Sequence, residues 1–116
     1  MLLPQLLNPF KPIKRRVADI NADMKKLVKQ YCAESFFITC YGAYYVNPKN
    51  LVFYICVQTD ATKEKLNAND NLKTALRGLL RKHRYPPEAS PFVHIGFESQ
   101  ETVDRQSGGS WHNYFK

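Results

Sequence analysis

Two runs dominated by aromatic and β-branched residues, SFFITCYGAYYV at 35–46 and LVFYICVQT at 51–59, are separated by only NPKN. Such side chains suit a pleated, half-buried surface. A short link containing proline suits a turn. The pair therefore predicts a β-hairpin, and whatever else the chain does must be built against it. Alternation places Leu51, Phe53, Ile55 and Val57 on one side of the second strand and Val52, Tyr54, Cys56 and Gln58 on the other.

The flanking segments carry a different period. Val17, Ile20, Met24, Leu27, Val28 and Tyr31 recur at steps of three and four, which predicts a helix from Arg15 to about Glu34. Arg16, Asp19, Asp23, Lys26 and Lys29 then form its solvated side. Residues 60–66 suit a helical turn. Asn69 or Asp70 suits the N-cap of a second helix with Leu72, Ala75, Leu76, Leu79 and Leu80 on one stripe, ended near Tyr85 by Pro86 and Pro87. PFVHIGFE predicts a third strand, with Val93, Ile95 and Phe97 inward and His94 outward. SWHNYF, after Gly108 and Gly109, suits a short fourth strand or a segment folded back across the sheet. The order helix, strand, strand, helix, strand implies an α+β fold. It is a small, mostly antiparallel sheet of three or four strands with two helices on one face. The other face would carry Tyr41, Tyr45, Tyr54, Cys56, Gln58 and His94, an amphipathic surface that needs a cover from the tail, a second subunit or a partner.

At 116 residues, one domain spanning 1–116 accounts for the whole chain, with the prolines at 4, 9 and 12 marking residues 1–13 as an arm. A hydrophobic fraction of 44% against 23% charged residues argues against disorder. Three cysteines without CxxC spacing argue against a disulfide framework or a thiolate zinc site, and fit a reducing cytoplasm. The apolar residues of the N-terminal stretch precede its charges, the reverse of a secretory signal. No run approaches the length of a membrane span. A cytoplasmic protein that uses neither membrane nor cofactor is expected.

Seventeen Lys and Arg against ten Asp and Glu give +7, a balance that attracts anionic partners without naming them. Lys73, Arg77 and Arg81 recur every four residues, with Arg84 beyond, and are candidates for anion binding; the plainer reading is a solvated helix side. The outward tyrosines suit base stacking, a protein interface or packing beneath the tail. His94 and His112, near Glu98 and Arg105, invite an acid–base reading, but no nucleophile elbow, phosphate loop or metal spacing accompanies them. His83 continues an apolar stripe and is expected in the core. In the tail, Glu98, Glu101, Asp104 and Arg105 offer a polar rim, and Trp111, His112, Tyr114 and Phe115 offer anchors of the kind that dominate binding energy. Trp111 and Phe115 alternatively close one end of the core, and Trp111 is expected buried.

The segments FYICVQTD, LKTALRGLLRKHRYPPEA and FVHIGFESQETVDRQSGGSWHNYFK resemble small bacterial immunity proteins of polymorphic or contact-dependent growth-inhibition systems, over roughly the last two thirds of the chain. The resemblance implies binding without turnover, to a cognate toxin domain in the cytoplasm. The charge departs from it, because toxin nucleases are commonly basic and their antagonists acidic. The expectation is a non-catalytic protein-binding module contacting its partner through Tyr41, Tyr54, His94, Glu98, Glu101, Asp104, Arg105, Trp111, His112 and Tyr114. The competing expectation is a nucleic-acid-binding domain using Lys73, Arg77, Arg81 and Arg84 with the tyrosine face. A small hydrolase comes third.

Overall fold

A computed structural model describes residues 12–115. Helix α1 (Ile13–Lys29) starts at Pro12, whose fixed φ suits a helix entrance, and buries Val17, Ile20, Met24 and Val28 along one stripe. Strand β1 (Phe37–Tyr41) pairs antiparallel with β2 (Val52–Val57), Ile38 opposite Ile55 and Thr39 opposite Tyr54. The link ends in a 3-10 turn at Pro48–Asn50, where the Asn47 side chain accepts a hydrogen bond from the Lys49 N–H.

Helices α2 (Asp60–Asn67) and α3 (Asp70–Lys82) follow, each with a side-chain cap: Thr59 accepts from the Thr62 N–H and Asn69 from the Leu72 N–H. Strand β3 (His94–Ser99) then pairs with β2, Ile55 opposite Phe97, giving the order β1-β2-β3. Ser99 caps α4 (Gln100–Ser107), which ends at Gly108 in the left-handed conformation, φ 61°. A last helical turn, α5 (Trp111–Tyr114), is capped by Ser110.

The predicted inward residues form the core. Leu51, just before β2, and Phe53, Ile55 and Val57 of β2 meet the α1 stripe and Leu72, Leu76 and Leu80 of α3 in one buried cluster. Each such side chain contributes about 1.5–3 kcal/mol by leaving water. Tyr85 is nearly buried, and its hydroxyl donates to the Pro48 carbonyl at 2.5 Å, tying the end of α3 to the link before β2. Tyr85→Phe orphans that carbonyl; a loss of about 1 kcal/mol in urea unfolding is expected.

The architecture is α+β, and several finer expectations are corrected. The sheet is mixed rather than mostly antiparallel, because β3 runs parallel to β2. A connection holding two helices carries the chain back to the end where β2 began, which is what a parallel pair requires. Among the described residues there are three strands and five α-helices. Of the two readings of SWHNYF the fourth strand fails and the segment folded back across the sheet holds, as the α5 turn, while Gln100–Ser107, where no helix is expected from the sequence, forms α4. Strand β1 ends at Tyr41, since Gly42 turns the chain at φ 97°, so Tyr45 lies off the sheet with the Lys14 ammonium 4.8 Å from its ring. Helix α1 stops at Lys29 rather than near Glu34. Arg16, expected in water, is 7% exposed and donates to the carbonyls of His83 and Arg84 at the end of α3. The arm expected over 1–13 lies outside the described residues except for Pro12 and Ile13, which begin α1.

Arg84 has φ 57°, the left-handed region that normally falls to glycine at this position after a helix. A side chain there costs about 1 kcal/mol.

Candidate recognition surface

Register decides which side chains share the face away from α1 and α3. Tyr41, Val52 and His94 form one row across the three strands, Thr39, Tyr54 and Gly96 the next, and Phe37, Cys56 and Glu98 the third. The chain covers this face with its own C-terminal turn. Trp111 meets Phe37 edge-on with ring centroids 5.1 Å apart, and Phe115 lies 5.0 Å from Tyr54 and 5.7 Å from Tyr41. The indole N–H donates to Gln100 Oε1 at 2.6 Å, anchoring α5 to α4. Cys56 is sealed beneath, and burial pushes its thiol up to about 12, leaving it an inert packing group.

The cover is incomplete. Phe37 is 43% and Tyr41 40% exposed, and with Trp111 and Phe115 they border an open cleft of about 390 Å³. A second cleft of about 470 Å³ lies between Tyr54 and His94 on one side and Lys63 and Lys73 on the other. Gly96 makes room there, since a Cβ would stand 2.7 Å from His94 Nε2 and 2.8 Å from Tyr54 Cε1. The two rings thus lie over the strand, their centroids 5.2 Å apart.

A polar network closes the end where β2 and β3 run into α2 and α4. Glu98 accepts from Lys63 Nζ at 2.8 Å, from the Ser99 N–H at 3.0 Å and from the Tyr114 hydroxyl. Asp60 accepts from Ser99 Oγ at 2.5 Å, Thr102 Oγ1 at 2.8 Å and Arg105 at 2.7 Å. Hydrogen bonds from Arg105, Ser99 and Thr102 hold the Asp60 carboxyl well below the usual range. Glu101 accepts from the Asp60 N–H at 2.6 Å, and Glu34 from the Gln58 and Thr59 N–H groups at 3.1 Å, so acids serve the entrance to α2.

The structure thus sorts the residues singled out in the sequence. Tyr41, Tyr54, Trp111 and Tyr114 come together around Phe115, and His112 borders the first cleft. Trp111 is half-buried on the outer face of the sheet rather than closing the core. Glu98 is buried and held within the fold, while Glu101 and Arg105 stay exposed as they bond to the start of α2. Asp104 accepts from Gln100 Nε2 at 2.9 Å and stays exposed. His94 and His112 line different clefts and make no pair. His83 is no core residue: it meets Asp23 at 2.7 Å, whose carboxyl is drawn down to about 2 by Lys82 and then by His83.

Of the helix cations, Arg77 donates to the carbonyls of Ser90 and Val93, Lys73 faces the His94 cleft, and only Arg81 and Arg84 remain together without such bonds among the described residues. Sequence reasoning missed Phe37; its odd number, shared with Tyr41, places it on the same face. Comparison with known proteins yields no matching family model, no matching curated protein and no matching solved structure. Among the described residues, no helix is long and apolar enough to cross a membrane.

Proposed function

We propose that this protein is a non-catalytic protein-binding module whose recognition surface is the aromatic ledge of Phe37, Tyr41, Trp111 and Phe115, and that it acts in the cytoplasm by masking a toxin domain, as immunity proteins do. The observation that carries the reading is the pair of large rings, Phe37 and Tyr41, left about two-fifths exposed on a hydrogen-bonded strand and backed by further rings. Rings fixed by a sheet lose little freedom on binding, so more of their buried area is realised as affinity. Truncating such central anchors commonly costs 2 kcal/mol or more. The resemblance of the C-terminal part of the chain to immunity proteins supports a toxin as the partner, and the mechanism is steric: the ledge excludes water while charged groups around it set orientation.

Nucleic-acid binding through the helix cations and the tyrosines has weaker support. Arg81 and Arg84 line a cleft that shares no residue with the ledge, and Arg77 is engaged with backbone carbonyls. A strand laid on the rings would gain little from these cations.

Co-expression with a toxin domain encoded by an adjacent gene is expected to give a complex that survives gel filtration. Phe37→Ala with Tyr41→Ala is expected to weaken that complex about a hundredfold by calorimetry, with a cooperative unfolding transition retained. Undiminished affinity in the folded double variant would refute the ledge as the binding surface.

A further inference from the structure

We propose that the cleft beside the C-terminal turn of α3 docks an acidic peptide segment bearing an apolar side chain, with Arg81 and Arg84 receiving its carboxylates. The cleft encloses about 500 Å³. Leu80 and the buried Tyr85 supply its floor, Pro87 and Pro91 its wall, and the two arginines its rim. Arg77 braces it by donating to the Ser90 carbonyl at 2.7 Å and the Val93 carbonyl at 3.0 Å, so the wall is tied to α3.

Charge complementarity selects the occupant. The lining contains three arginines and no acid. Neighbouring Lys82 is ion-paired with Asp23, but the guanidiniums of Arg81 and Arg84 meet no carboxylate among the described residues, and both side chains are exposed. A guanidinium fork matches a carboxylate in bidentate geometry.

The backbone adds a second pointer. Arg84 occupies a left-handed position that glycine would fill without strain, and its carbonyl is held there by Arg16 at 2.7 Å. Strain kept in place by surrounding structure clusters where a side chain is needed for recognition. The apolar, concave floor favours a peptide side chain over a nucleic-acid backbone, which would be met by cations spread along a surface with stacking rings among them. The site is separate from the ledge and does not depend on it.

The test uses the full chain and a fluorescein-labelled peptide, Glu-Asp-Phe-Glu-Asp, read by anisotropy. Saturable binding is expected, weakened at least about tenfold by Arg81→Glu with Arg84→Glu. Arg84→Gly relieves the backbone, so it is expected to weaken binding about threefold or more while the melting temperature holds or rises. Phe37→Ala with Tyr41→Ala is expected to leave peptide affinity unchanged, which separates this site from the ledge. The proposal is overturned by any of three results: unchanged affinity in both arginine variants, equal binding of the peptide with glycine in place of phenylalanine, or a single-stranded RNA of matched charge binding more tightly through the same arginines.

Discussion

Glu98→Ala is expected to lower the unfolding free energy by about 3 kcal/mol, the low end of what breaking a buried ion pair costs. The carboxylate is 8% exposed and joins three elements: Lys63 of α2, the Ser99 N–H at the mouth of α4, and the Tyr114 hydroxyl of α5. Removing it strands the Lys63 ammonium, whose remaining partners are Thr102 Oγ1 at 2.8 Å and, more distantly, Asp60 at 4.0 Å. Those partners and the 24% exposure of the Lys63 side chain keep the loss from rising further. The tail loses its anchor as well, so α5 and its rings loosen over the sheet. Urea unfolding followed by Trp111 fluorescence measures both effects, and a change below about 1 kcal/mol would show that the network is not stabilising.

The pH dependence of the same pair has a definite sign. Burial works to raise the Glu98 carboxyl, but hydrogen bonds from Lys63, Tyr114 and the Ser99 N–H together outweigh it and hold it below the ordinary glutamate value. A carboxyl that titrates lower when folded contributes stability that is fully present above its unfolded value of about 4.3 and is lost as pH falls through the folded value. Tyr114 goes the other way. Its hydrogen bond to Glu98, then burial, push it up to about 12. Its contribution is complete below the unfolded value of about 10 and is lost as pH rises through the folded one. The stability difference between the parent and Glu98→Gln should therefore be flat between about pH 5 and pH 9 and shrink on either side.

How far the sequence could be read depended on whether a segment declares itself by period. The stripe of α1, the leucines of α3 and the alternation of β2 each repeat over several turns or pleats and pack in the core, apart from Tyr31, past the end of α1, and Ala75 of α3, which are exposed. Strand β3 was recognised but its direction was not, because HIGFES alternates in the same way whichever way it runs. The cue lay in the connection: Thr59 and Asn69 each cap a helix between the strands, as a crossover demands. Helix α4 has one fully buried apolar residue, Val103, so it shows no stripe. Its signals were Ser99 at the entrance and Gly108 at the exit. The aromatic run of α5 suits a short strand or a segment folded back across the sheet, and four residues capped by Ser110 are too short for a pattern to decide between them. Arg16 was misplaced because its burial rests on carbonyls 67 and 68 residues away, which no local pattern encodes. The partners of the tail acids are hidden from the local pattern for the same reason: Glu98 and Glu101 reach Lys63 and the Asp60 N–H of α2, across the parallel crossover.

Gly42→Ala is expected to be the most damaging of the glycine-to-alanine changes. Two penalties coincide at this position. At φ 97° a side chain faces its own backbone, which costs about 1–2 kcal/mol wherever it occurs. The added Cβ would also stand 2.0 Å from the Asn50 carbonyl oxygen and 2.9 Å from its carbon, and a backbone group cannot swing aside as a side chain can. Relief requires moving the Pro48–Asn50 turn, which carries the carbonyl that holds Tyr85, or else pulling Tyr41 away from its partner Val52. A total near 4 kcal/mol follows, at the upper edge of what single substitutions do. Gly96→Ala makes the contrasting case, because the atoms it meets belong to the His94 and Tyr54 rings, which can rotate; about 1 kcal/mol is expected there. Chemical denaturation of the two variants side by side checks the ranking, and Gly42→Ala should also weaken partner binding, since Tyr41 is the last residue of β1 and part of the ledge. Equal stability of the two would mean that the turn yields freely, and that the exposed rings of β1 are not held as rigidly as the recognition mechanism requires.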